Sequence, residues 1–386
     1  MPSLSVSILN KRVSPFHLFG ALGFLAGTAL GIFLAVHEAL SPSVIILLSL
    51  LGAAQLFAQT WVQKVITGEE NIVYYRHEIA ILALSALILW IVGQPVTKYL
   101  DITLLGVGLF MAFGRIGCYN AGCCHGRPCR AGVRYTQRHA EEGFPWYYVG
   151  VRIFPVQLAE SFFVFFTVSA GVWILLSGQP AGTVLVWYTT FYGLVRFILE
   201  FFRGDPERPY WQGLSEAQWT TLGLATLTLF CSMAGVLPLF LWQIALWGLI
   251  SAACLVIVFL HKKWMRYRLL NPGHLGQVLR NIRDLERADR AADTPPQVRT
   301  TSLGLRCSCG TIHKKEGDFR HYTFSSQHST LQLDGNALQG LEFYLRATKH
   351  YERKGEIITR ENGIFHITFR QPSAVESAFL SHPQAL

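Results

Sequence analysis

The first 260 residues alternate between long apolar runs and short polar breaks. Eight runs stand out: Phe16 to Val36, Val44 to Val65, Ile79 to Val92, Ile102 to Tyr119, Val156 to Leu176, Thr183 to Phe202, Ala217 to Leu237 and Leu239 to Leu260. Crossing a hydrocarbon core takes about 20 apolar residues in a helix. The pattern therefore predicts seven or eight transmembrane helices, since the third run is short and little more than Pro238 parts the last two. Beyond residue 300 the period changes. Phe319 to Ser325 alternates, Ala337 to Arg353 has helical spacing, and Ile364 to Arg370 reads as a strand. The expected architecture is an all-α polytopic membrane protein with a small C-terminal α+β soluble domain. Its expected parts are a transmembrane domain over 1–265, a basic juxtamembrane linker over 266–299 that includes a charged helical stretch from Asn281 to Ala292, and the soluble domain over 300–386. Pro295 and Pro296 mark the last boundary.

Composition agrees with a membrane protein. Of 386 residues, 51% are hydrophobic and only 15% charged, too apolar for a soluble chain of this size. No cleavage pattern precedes the first run, which is expected to remain as an anchor. The net charge of +9 sits at membrane edges, as in His261 to Arg268, and not on one soluble face. Anionic lipid headgroups are thus the expected partner and nucleic acid is not. Gly20, Gly23, Gly27 and Gly31 form a small-residue stripe that lets neighbouring helices approach closely. Eight cysteines without a secreted scaffold do not fix a redox compartment.

Polar groups inside the apolar pattern carry the chemistry. The fourth run ends in FGRIGCYNAGCCHGRPCRAGVR, Phe113 to Arg134, a knot of Arg, Gly, Cys and His at a membrane boundary. Gly114, Gly117, Gly122 and Gly126 would let the backbone turn and approach a headgroup. A polar connection follows to Ile153, with Arg127, Arg130, Arg134, Arg138 and Arg152 and the aromatic run Trp146, Tyr147, Tyr148. Arginine forks bind phosphate, and Trp and Tyr favour the headgroup level. The fifth run buries Gln157 and Glu160. The sixth carries Arg196, Glu200 and Arg203 at spacings of four and three, so they project from nearly one face. Charges inside a span are costly and mark sites. His77 and Glu78, with Glu160, are candidate proton acceptors. Cys307, Cys309 and His313 have no fourth metal ligand nearby and read as structural.

At these residues the chain resembles the prolipoprotein diacylglyceryl transferase family. Gly114, Arg115, Gly117, Gly122, Gly126 and Arg127 match its Gly-Arg-x-Gly…Gly-x-x-x-Gly-Arg signature in register. Pro155, Gln157, Leu158 and Glu160 match its Pro-x-Gln-Leu-x-Glu, and Arg196, Phe197, Glu200, Phe201, Phe202 and Arg203 match its Arg-Phe-x-x-Glu-Phe-Phe-Arg. Ala217, Gln218 and Trp219 resemble the start of its next span. The resemblance implies a multi-pass enzyme of the bacterial plasma (inner) membrane, without a cofactor. It would move the diacylglyceryl group of phosphatidylglycerol to the cysteine thiol of a prolipoprotein and release glycerol phosphate. It also implies catalytic roles for His77, Arg115, Arg196 and Glu200, with Arg196 and Arg115 on the departing phosphate and Glu200 orienting Arg196. Substrate-binding roles fall to Arg127, Gly114, Gly117, Gly122, Gly126, Gln157, Glu160 and Arg203.

The chain departs from that pattern in several places. The family commonly has Asn at Cys118, Glu at Cys123, Tyr near Phe19, His at Phe154, Gly-Gly at Glu78 and Ile79, and an arginine in the second span. One alternative is therefore a diverged phospholipid-dependent transferase with another acceptor. A second is a thiol-redox or metal-binding protein built on Cys118, Cys123, Cys124, His125 and Cys129, or a disulfide stapling that loop; a non-catalytic membrane scaffold is a third. Positive charges would place the central loop on the cytoplasmic side, whereas the family places it outside; the family placement is adopted for the site.

Overall fold

The computed structural model describes residues 2–8, 11–68, 74–261, 263–289, 297–315, 317–327, 333–359 and 363–371. The proline pair 295–296 and residues 69–73 of the connection before the third run lie outside them.

The chain opens with a hairpin, β1 (Val6–Ile8) and β2 (Lys11–Val13), followed by α1 (Pro15–His37), α2 (Pro42–Thr67), α3 (Tyr74–Ile91) and α4 (Val96–Ala121). The central connection holds β3 (Pro128–Arg134), α5 (Gln137–Glu141), a 3-10 turn (Trp146–Tyr148) and β4 (Arg152–Ile153). Then come α6 (Val156–Leu176), α7 (Thr183–Leu199), a second 3-10 turn (Glu200–Phe202), β5 (Tyr210–Trp211), β6 (Leu214–Ser215), α8 (Glu216–Met233) and α9 (Leu241–Leu260). The C-terminal part contains α10 (Met265–Leu269), α11 (Pro272–Asp289), β7 (Arg299–Thr300), β8 (Leu305–Lys314), β9 (Gly317–Ser326), α12 (Gly335–Thr348), β10 (Glu356–Thr359) and β11 (Ile364–Arg370). Two compact units result. The first comprises 1–126, 155–203 and 214–256; the second comprises 127–154, 204–213 and 257–386.

The first unit is the helical membrane part. A long helix stands at each of the eight apolar runs, and six of these helices are long and apolar enough to cross a membrane. The other two, α3 and α8, have 18 residues each and carry polar groups near their N-termini: Arg76, His77 and Glu78 on α3, Glu216 and Gln218 on α8. Large apolar side chains such as Phe57, Trp61, Trp90, Trp173, Phe230 and Phe259 are exposed on the helix surfaces, as lipid-facing positions are. The tightest seam is α1 against α4: a Cβ on Gly27 would lie 2.5 Å from the Gly106 carbonyl oxygen. Three glycines of the α1 stripe face neighbours, while nothing lies within 4 Å of a Cβ on Gly20. Ser161 of α6 donates to the Ala112 carbonyl of α4 at 2.8 Å. Tyr75 of α3 and Thr221 of α8 share a hydroxyl contact of 3.1 Å, and Arg76 pairs with Glu216 at 2.8 Å.

The second unit is built on a five-stranded antiparallel sheet, order β10-β11-β9-β8-β7. Alternation along β9 sends Arg320, Tyr322 and Phe324 inward. Helix α11 lies where a charged linker was expected, and its Leu275, Val278, Leu279, Ile282 and Leu285 form one apolar stripe buried against the sheet. The central connection contributes to the same core. Tyr147 and Tyr148 are 6% and 2% exposed within it, so these rings are core residues and not headgroup anchors, while Trp146 lies under the Arg283 guanidinium at 3.9 Å. Strand β8, unpredicted from the sequence, holds Cys307 fully buried and Cys309 half-buried; His313 bonds Asp318 at the exposed end of the hairpin. Helix α12 stops at Thr348, five residues early, because His350 takes a left-handed φ of 55°. The reversal lets Tyr351 stack on Phe369 at 4.3 Å.

Candidate functional site

Helix α7 starts where Asp101, a buried carboxylate of α4, accepts the backbone N–H groups of Gly182 at 2.6 Å and Leu185 at 2.8 Å. A carboxylate at a helix N-terminus satisfies orphan donors and complements the dipole. With α7 so fixed, Tyr192, Arg196 and Glu200 follow at intervals of four and line one face. The 3-10 turn then hands over to extended backbone at Arg203, which bridges to Gly126 beyond the end of α4.

These elements converge on Glu160 of α6. Its carboxylate lies 2.9 Å from Arg115 Nε of α4, 3.5 Å from Arg196 Nε and 3.8 Å from Arg203 Nη1. Tyr192 donates its hydroxyl to Glu160 Oε1 at 3.0 Å, and Arg196 Nη1 reaches Glu200 Oε2 at 2.6 Å. All five charged groups are buried, Glu160 and Arg203 fully. Three arginines against two carboxylates leave a formal charge of 3 − 2 = +1. Arg115 Nε and Arg196 Nη1 lie close to carboxylate oxygens, but neither has an aligned hydrogen bond. A guanidinium carries five donors in a planar fork. The cluster thus has both the charge and the donor capacity to take one further anion, and a buried charge left unbalanced is costly.

Other predicted residues take different places. Gln157 donates to the Cys123 carbonyl at 2.8 Å. Gly122, at φ 80°, closes α4 in the left-handed conformation, and a Cβ on Gly117 would meet the Phe16 backbone at 3.1 Å, which makes that glycine a packing position. A Cβ on Gly114 meets nothing within 4 Å. Arg127 belongs to the second unit, where it hydrogen-bonds the Tyr344 phenol. His77 is buried and its Nδ1 has no partner among the described residues. It stands about 200° around α3 from Tyr75. Glu78, by contrast, shares a small cavity of about 50 Å³ with Tyr75, Tyr188, Tyr192, Gly193 and Thr221.

The cysteines divide. The sulfurs of Cys118, Cys123 and Cys124 lie within 4.8 Å of one another. His125 is turned to the Gly126 carbonyl, 2.8 Å from Nδ1, and Cys129 falls in the second unit, donating to the Ala131 carbonyl at 2.7 Å. All eight cysteines are free, so no disulfide staples the loop. Sequence reasoning missed Tyr192, Tyr75 and Asp101. Tyr192 was within reach, standing four residues before Arg196; Asp101 was not, because its partners are backbone groups 81 and 84 residues away.

Fold and site together define a polytopic helical membrane protein with a buried, net-cationic arginine–glutamate cluster. Residues 77–234 match the family described as Prolipoprotein diacylglyceryl transferase. The chain is 36% identical over 113 residues to the phosphatidylglycerol--prolipoprotein diacylglyceryl transferase of Clostridium tetani, covering 29% of this chain and 43% of that protein. It is 32% identical over 114 residues to the second such enzyme of Clostridium perfringens, covering 29% and 42%, and 28% identical over 145 residues to that of Dehalococcoides mccartyi, covering 38% and 51%. The chain thus spans about half the length, or less, of the curated relatives it matches. The segment that holds the cluster matches the prolipoprotein diacylglyceryl transferase family model, in keeping with the resemblance drawn from the motifs.

Proposed function

We propose that the protein transfers the diacylglyceryl group of phosphatidylglycerol to the thiol of a cysteine in a lipoprotein precursor, in a bacterial plasma membrane. The observation that carries this reading is the buried +1 cluster around Glu160, in the segment shared with proteins named for that reaction. The acceptor sulfur attacks the glyceryl carbon that bears the phosphate. A carbon–sulfur bond forms, the carbon–oxygen bond breaks, glycerol phosphate leaves with the electron pair, and the thiol proton passes to solvent. Charge grows on the leaving phosphate, and donors preorganised toward developing charge are the strongest lever a site has. Arg115 and Arg196 supply them, Glu160 and Glu200 hold the two guanidinium groups in place, and Tyr192 fixes Glu160. Arg203, 3.8 Å from Glu160, adds positive charge. Gln157 ties α6 to the turn after α4.

The test uses vesicles of labelled phosphatidylglycerol and a lipobox peptide carrying cysteine or serine. Cysteine-dependent release of glycerol phosphate supports the reading. Release independent of the peptide, or none with either peptide in vesicles where an established transferase works, removes it.

A further inference from the structure

The cysteine cluster is unused by the mechanism above, yet the local backbone is shaped to form it. Helix α4 ends at Ala121, Gly122 bonds its N–H back to the Cys118 carbonyl at 2.9 Å, and Cys124 follows at φ 54°. A left-handed backbone is uncommon for a residue with a side chain and marks a turn held in place by its surroundings. The two left-handed residues fold the chain back on itself. As a result, thiols five and six residues beyond Cys118 return to it, and the three sulfurs come within 4.8 Å. The C-x-x-x-x-C-C spacing has no paired CxxC, and the turn is what selects these three from the five thiol and imidazole groups of the sequence.

We propose that Cys118, Cys123 and Cys124 form a three-thiolate zinc site whose fourth position takes the acceptor's cysteine, so that the metal generates the nucleophile. The second half of this inference rests on the transfer reaction proposed above. Thiolates select soft or borderline metals, and zinc with three protein ligands keeps one position open for a substrate. At zinc–sulfur distances of about 2.3 Å, tetrahedral ligands stand roughly 3.8 Å apart, so the sulfurs need close by only about 1 Å. Arg115 and Arg203 both interact electrostatically with Cys124. Cys123 is exposed, which gives metal and acceptor an approach. A thiol that coordinates zinc is deprotonated outright. Its proton leaves to solvent, its sulfur attacks the glyceryl carbon, and the thioether that forms no longer carries the charge that held it. No oxidant or reductant is needed.

The test is metal analysis of the full chain, purified in detergent under reducing conditions after exposure to zinc, with cobalt(II) as the spectroscopic probe. One equivalent of zinc is expected, lost in Cys123→Ser and Cys124→Ser and regained in Cys123→His, which restores a ligand at an exposed position. The cobalt form should show a sulfur-to-metal charge-transfer band, and a cysteine peptide, but not its serine counterpart, should shift the visible spectrum. No zinc in the wild type, zinc retained in both serine variants, or an intact mass two hydrogens low before reduction would overturn the site. Cobalt bands indifferent to the peptide would overturn the acceptor role. These readouts need no lipid. A zinc site that responds to the peptide while no glycerol phosphate is released would uphold the site and remove the transfer reading instead.

Discussion

Two sets of arginines in this chain look alike in the sequence and differ in the structure. Arg115, Arg196 and Arg203 are buried around one carboxylate, whereas Arg130, Arg134, Arg138 and Arg152 of the central connection are exposed. Both sets stand near apolar segments, and both read as phosphate ligands. The difference lies in what surrounds the charge. A guanidinium among helices must be paired, and three guanidinium groups around two carboxylates carry a formal charge of +1 that favours a further anion. An exposed guanidinium is solvated and screened, and contributes little by position alone. Basic charge near a membrane is therefore a weak sign of a site, and buried charge with incomplete pairing a strong one.

The comparison can be broken first at Glu160. Removing the hub carboxylate in Glu160→Ala leaves three buried cations facing one another, so a loss of about 3–5 kcal/mol of stability is expected, read as a collapse of folded protein in detergent. Arg134→Ala and Arg138→Ala should each stay within about 0.5 kcal/mol of the wild type, as exposed substitutions do. Equal losses in the two sets would remove the distinction. Next in size, Gly340→Ala should cost about 1–3 kcal/mol by overpacking, because a Cβ there would lie 2.4 Å from the Leu270 side chain. Its damage belongs to the second unit and should leave glycerol phosphate release per folded molecule unchanged. Tyr192→Phe removes one hydroxyl donor from Glu160, worth about 1.5–3 kcal/mol for a charged acceptor; a drop in transfer rate with retained fold is the expected reading.

The smallest effect is on pH. His274, buried between the Leu269 carbonyl and Thr301 Oγ1, both at 2.8 Å, titrates below its ordinary 6.5, mainly because burial disfavours the charged ring. Below pH 6.5 the unfolded chain therefore binds a proton that the folded chain resists, and stability rises with pH across that window. Thermal melts of the full chain should fall in temperature as pH drops from 7 through 6, less steeply in His274→Asn. A melt that rises on acidification would contradict the burial argument.

Much of this was legible beforehand because the membrane imposes a strong code. Eight apolar runs gave eight helices at nearly the expected bounds, since a span has a required length and composition. The spacing of Arg196, Glu200 and Arg203 already placed them together, because a helix converts intervals of three and four into one face. What was not legible depended on contacts distant in sequence. Nothing near Tyr147 and Tyr148 signals that their rings share a core with α11 and β9, and an amphipathic helix rich in Arg and Asp, such as α11, resembles a solvated linker until the sheet that covers its stripe is known. The three cysteines were visible as a group, but which of the five thiol and imidazole groups converge was decided by the left-handed turn at Gly122 and Cys124.

The most direct test sets the two arginine groups against each other in one assay. Release of glycerol phosphate from labelled phosphatidylglycerol, driven by a cysteine peptide, is measured for Arg115→Gln and Arg196→Gln and for Arg134→Gln and Arg138→Gln, each normalised to folded protein. The buried pair should lose about 100-fold or more apiece, the scale of losing a donor aimed at developing charge, while the exposed pair stays near the wild type. Losses of similar size in both pairs, or a buried pair that still turns over at the wild-type rate, would contradict the account.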